Sequence, residues 1–166
     1  MAGEKFLKEI AGIPTRKEAT QIGGSGKENL IPALDNTGRF SETMMPVGLV
    51  ADVKNMVASE DIGGGDLINV WNDGGVFKIR KADASNGRNA HAFILASVLL
   101  GNSINAYFEG IITGLSGQTP VQYWLDGAIA GKAVTSPPSN PAHIIQKVGM
   151  GISATERSFE PGDVIA

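Results

Sequence analysis

No cysteine occurs in the 166 residues. Disulfides, thiol nucleophiles and cysteine-ligated zinc are therefore excluded, and the absence is compatible with synthesis in a cytoplasm. Charge is also sparse. Charged side chains make up 19% of the chain, below the usual quarter, and the formal net charge is −3. There is no broad basic field to draw in a polyanion, so direct nucleic-acid binding is not expected. Long apolar runs are missing too. The longest, AFILASVLL at 92–100, falls well short of the roughly 20 residues a membrane helix needs, and no membrane partner is expected. The opening MAGEKFLKEIAG has no apolar h-region, so it does not read as a secretory signal.

What the chain does have is glycine, 22 residues of it, and a hydrophobic fraction of 42%. Short apolar runs separated by glycine-rich turns predict an all-β fold, since each run is long enough for a strand and too short for a helix. The texture changes near Pro46. Residues 1–46 carry six Lys/Arg and six Asp/Glu and are neutral as a block. Within them only EKFLKEIAG has helical spacing, with Phe6, Leu7 and Ile10 on one side, and a short helix is predicted there. GGSGKEN reads as a flexible linker. IPALDNTGRFSETMMP, bracketed by two prolines, has no period of 2 or 3.6, yet it carries Ile31, Leu34, Phe40, Met44 and Met45. An extended arm is expected over 1–46.

Residues 47–166 predict a β-rich body of about eight or nine short strands, a small sandwich or barrel. The strongest local signal is a hairpin, with strands at 67–71 and 76–80 flanking an Asp-Gly-Gly turn. HAFILASVLLG is expected as a buried strand. SINAYFEGII alternates, placing Ile104, Ala106, Phe108 and Ile112 on one face, and HIIQKVGMGISA does the same with Ile144, Val148, Met150 and Ile152. SPPSNP can only be a surface loop. ASEDIGGGDLI and ATERSFEPGDVI resemble each other; common Gly-Asp turn chemistry before a strand is the plain reading, and a pseudo-repeat marking two equivalent corners of a barrel is the alternative.

The chemical motifs are weak. GGSGKE fails as a phosphate loop because Gln21 stands where the first glycine belongs and Glu28 where a hydroxyl should hold magnesium. GLSGQ lacks the last glycine of a nucleophile elbow, having Gln118 there, and reads as a turn. His91 and His143 have no partners at ligand spacing. A hydrolase would need converging carboxylates, for which Glu109 and Asp126 are the nearest candidates. KIRKADASNGR puts Lys78 and Arg80 on one outward strand face, with Lys81 and Arg88 nearby. A solvated face is the plain reading, and a surface for an anionic partner is the functional one. Trp124 and Tyr123 are adjacent and should face opposite ways, a hint of a subunit contact. No catalytic residue, cofactor site or metal ligand is assigned, and no enzyme activity is expected.

VWNDGGVFKIRKADASNGRNAHAFILASV, YFEGIITGLSGQTPVQYWL and TSPPSNPAHIIQKVGMGISATERSFEPGDVIA, together spanning much of 31–166, resemble head decoration, or capsid cement, proteins of tailed bacteriophages. The 31–46 stretch also resembles the short leader that precedes β-modules in phage structural proteins, tail fibres included. The resemblance implies binding without catalysis. It implies a homotrimer on the outer capsid surface of the virion, made in the host cytoplasm, that bridges neighbouring copies of the major capsid protein and stabilises the DNA-filled head, with no cofactor. On that reading the neighbour-contact candidates are the apolar residues of the arm: Phe6, Leu7, Ile10, Leu30, Ile31, Leu34, Phe40, Met44 and Met45. Burial of each in a neighbour would contribute ~1.5–3 kcal/mol where complete.

Overall fold

The computed structural model describes residues 5–21, 30–34, 38, 40, 44 and 52–165. The chain forms two compact units, Met1–Val50 and Ala51–Ala166. Met45 and the glycine-rich 23–29 linker, both singled out above, lie outside the described residues.

In the first unit, β1 (Lys5–Ile10) and β2 (Ile13–Glu18) form an antiparallel hairpin. This corrects the helix expected over 4–12. The turn is Ala11–Gly12, with φ of 53° and 81°. Two successive positive φ values match the right-handed twist of the flanking strands, whereas a helix this short is marginal in water. β-Branched Ile13 and Thr15 on the returning strand favour the same outcome. The strand separates what a helix would have grouped, since Leu7 falls on the face opposite to Phe6 and Ile10. The expected extended arm is thus partly folded. Beyond the hairpin, residues 30–34 run beside Thr20. The Thr20 amide donates to the Ile31 carbonyl (3.0 Å) and the Ala33 amide to the Thr20 carbonyl (2.7 Å), making a parallel bridge between Thr20 and Pro32.

In the second unit, five strands close a barrel: β3 (Val53–Ala58), β4 (Leu67–Asp73), β5 (Val76–Lys81), β6 (Ala92–Phe93) and β7 (Ser103–Tyr107), in the order β3-β5-β4-β6-β7. The pairing of β3 with β5 is parallel and the other four are antiparallel. A second sheet contains β8 (Gly110–Ile112), β9 (Gln122–Leu125), β10 (Ala133–Val134), β11 (Ile145–Ser153), β12 (Glu156–Phe159) and β13 (Val164–Ile165). The choice between sandwich and barrel resolves into a barrel with an attached sheet. Of the eleven described strands in this unit, three have only two residues, so eight are long enough to show a period. A 3-10 turn at Ala84–Asn86 is capped by the Asp83 carboxylate, which accepts from the Ser85 amide.

Two apolar clusters hold this unit together. One fills the barrel with Met56, Ile68, Ile79, Ile94, Val98 and Ala106 among others. The other joins barrel to sheet, with Leu67 and Phe93 from the barrel meeting Ile112, Leu125, Val148 and Phe159. Leu67 and Ile68 therefore bury opposite faces of β4, in different clusters. Phe93 stacks on Tyr107 and meets Phe159 edge-on, each at 5.4 Å between centroids, a geometry that favours aromatic pairs beyond their buried area. The alternation expected along β11 fails after Val148. Its ladder slips between Lys147 and Gly149 against β9 and between Gly151 and Ser153 against β12, and Met150 and Ile152 end up exposed.

Candidate functional site

The hairpin and the return segment place the arm's apolar residues individually. Leu7 is 71% exposed, and Ile10, Ile31, Leu34 and Phe40 are also exposed. Phe6, Leu30 and Met44 are partly buried, and Met45 is outside the described residues. Ile13, 66% exposed, belongs with them and was missed. It sits opposite Ile10 across the turn, a pairing that the sequence reveals only if Ala11–Gly12 is recognised as a hairpin turn.

The backbone under these side chains is not free. The carbonyls of Ile31 and Leu34 accept from the Thr20 amide and from Gln21 Nε2 (2.8 Å) respectively. Leu7, Ile10 and Ile13 on the paired hairpin, and Ile31 and Leu34 on the return segment, are thus exposed on a backbone that is hydrogen-bonded within the same unit. A partner that covers them orders side chains more than main chain, which removes part of the ~1–2 kcal/mol per residue that fixing a free backbone costs.

Several chemistry-bearing residues of the second unit are engaged in structural contacts. Asp126 is buried, its side chain accepting from the Ala128 amide (2.7 Å) and its amide donating to the Lys132 carbonyl (3.0 Å). Glu109 is exposed, and no side-chain hydrogen bond links it to Asp126. Asp66, also buried, pairs with Lys132 and accepts from the Gly63 amide at 2.9 Å. Ser116 and Gln118 lie in the expected turn, where the Ser116 carbonyl accepts from Gln118 Nε2, and Gly114 and Gly117 have positive φ. His91 accepts the Val70 amide at Nδ1 (2.9 Å), and its other nitrogen faces the Asn89 side-chain amide. Burial lowers the pKa of His91. Among the described residues no three His, Asp or Glu side chains converge as a metal site, and no helix is long and apolar enough to cross a membrane.

Lys78 and Arg80 do share the outer face of β5, as alternation requires. Lys78 is neutralised by Asp73 at 2.7 Å, whereas Arg80 lies over the Trp71 ring, 4.7 Å from its centroid. Tyr123 is buried while neighbouring Trp124 is partly exposed, the opposite-facing pair expected of adjacent strand residues. Lys147 Nζ lies 5.5 Å from the Trp124 ring.

No protein-family model matches this chain, and no curated protein matches its sequence.

Proposed function

We propose that this chain is a structural virion protein of a tailed bacteriophage. It binds the outer surface of the capsid as a homotrimer and cements neighbouring copies of the major capsid protein. The resemblance of much of 31–166 to capsid cement proteins supports this reading. The observation that carries it is the set of exposed apolar side chains on the arm, Leu7, Ile10, Ile13, Ile31, Leu34 and Phe40, of which the first five lie on the paired hairpin or on the segment hydrogen-bonded to Thr20 and Gln21. Sheltering three of them fully would be worth ~5–9 kcal/mol, against association costs of ~4–15 kcal/mol. A single copy therefore binds weakly, and linkage within a trimer on a repeating lattice supplies the remaining affinity through effective concentration.

The second reading is a tail, baseplate or fibre-associated protein, kept open by the likeness of 31–46 to a leader shared by phage structural proteins, tail fibres included. Gold labelling of the protein on intact virions separates the two. Label over the head surface is the expected result, and label confined to the tail would transfer the proposal there. Deleting residues 2–30 tests the arm itself. The truncated chain should remain folded over 51–166 and fail to bind DNA-emptied heads.

A further inference from the structure

The segment KIRKADASNGR folds back on itself. β5 ends at Lys81, the 3-10 turn reverses the chain, and Asp83 and Arg88 close it as an antiparallel bridge. This returns Arg88 and Asn89 to the edge of the face that carries Arg80. Arg80 is fixed from two sides. Its guanidinium lies over Trp71, and its Nε donates to Asn69 Oδ1 at 3.0 Å. Asn69 is buried and is itself held, donating from Nδ2 to the Asn89 carbonyl at 2.9 Å. Trp71 is anchored in turn, donating from Nε1 to Ser59 Oγ at 3.0 Å.

With Nε turned inward, the two Nη groups of Arg80 form an edge that has no hydrogen-bond or ion-pair partner among the described residues, and the Arg88 guanidinium likewise has none. The two cations feel each other. Arg80 has its pKa lowered first by burial and then by the charge of Arg88, with Glu60 opposing. Glu60 is engaged elsewhere, accepting the Lys81 amide at 2.6 Å. Two guanidinium charges against this one carboxylate leave the patch with one positive charge. That balance matches a single monoanion better than a phosphate dianion. A planar guanidinium whose free edge faces outward suits bidentate recognition of a carboxylate.

We infer that Arg80 and Arg88, positioned by Asn69 and Trp71 on the outer face of β4 and β5, form a receptor site for one carboxylate side chain of a partner protein. All of its residues belong to the second unit, and the inference does not rest on the capsid reading.

Side-chain NMR of the full chain tests it, with sodium propionate as a stand-in for a glutamate side chain, inorganic phosphate as the competing oxyanion, and ionic strength held constant with sodium chloride. Propionate should move the Arg80 Nε–H and Trp71 Nε1–H resonances along a saturable curve. Arg88→Gln should weaken that binding about tenfold, as should Arg80→Lys, which keeps the charge and loses the planar fork. Backbone resonances away from the site report whether each variant is folded. If Arg80→Lys disturbs them, Arg88→Gln, at the turn, decides the matter. The site is refuted if propionate gives only a non-saturating drift shared with other surface residues, or if Arg88→Gln binds as the parent does. Phosphate binding about tenfold tighter than propionate would overturn the carboxylate assignment.

Discussion

Arg157 on β12 is only 4% exposed, and its Nε meets no acceptor among the described residues. Its guanidinium lies 5.1 Å from the centroid of the Tyr123 ring. Burial lowers its pKa, with Tyr123 opposing, yet an arginine stays charged, so the fold carries a desolvated cation that no carboxylate among the described residues pairs. Arg157→Met keeps the apolar stem and a favourable sulfur–aromatic contact. It should stabilise the protein by about 1–3 kcal/mol, seen as a rise in thermal midpoint, and a fall would show that the guanidinium contributes more than it costs. His91 acts in the opposite sense. Its Nδ1 accepts the Val70 amide, so the folded protein favours the neutral ring, and its pKa is lowered from 6.5. As pH falls through 6.5 the unfolded chain takes up the proton first, so stability is lost between that value and the lower folded pKa. Urea midpoints measured from roughly pH 7.5 down to 5 should show this loss, and His91→Gln should flatten it. Neither residue announced its role in the sequence. An arginine in a strand, or a histidine beside one, reads as structural or surface until its neighbours are known, and the decisive neighbours, Tyr123 and Val70, come from strands far along the chain.

Hairpins made by local turn chemistry were the most legible elements. The Gly74–Gly75 turn, with φ of 64° and 97°, joins β4 and β5 where Asp-Gly-Gly indicated. The same chemistry operates at Ala11–Gly12, where the helical spacing of Phe6, Leu7 and Ile10 masks it and the turn's first residue is not a glycine. Strands of two residues, β6, β10 and β13, are too short to carry any period. Alternation misplaces Met150 and Ile152 of β11 because it assumes an unbroken ladder. Its glycines hold the reason. Gly149 has φ of 132°, and a Cβ there would run into the Ser158 carbonyl oxygen, while a Cβ on Gly151 would run into that of Thr119. The strand needs these positions bare so that its neighbours can approach. Gly149→Ala should therefore cost about 3–5 kcal/mol, measured as a loss of urea stability, well beyond an ordinary strand substitution. Gln146, where alternation along the run would place an apolar residue, is buried and pairs with both the amide and the carbonyl of Ala90, at 2.7 and 3.0 Å. It ties β11 to a loop of the barrel in a way that hydrophobic patterning does not register.

For the molecule as a whole, the all-β class followed from glycine-punctuated apolar runs. The barrel did not, because closure depends on the parallel pairing of β3 with β5, which no local signal encodes. The apolar residues of 31–46 were legible as out of place on a segment with no period. Their hydrogen-bonded support at Thr20 and Gln21 was not, since it joins residues more than ten apart across a glycine-rich linker. That support changes the energetics of the proposed binding from folding of a free chain to docking of a partly prepared surface. The most direct measurement is co-sedimentation of the purified chain with DNA-emptied heads lacking it, for the parent and for a variant carrying Leu7→Ser, Ile31→Ser, Leu34→Ser and Phe40→Ser. The account predicts that the parent pellets with the heads to saturation and that the variant, still folded, binds at least about a hundredfold more weakly. A folded variant that pellets as well as the parent would contradict it.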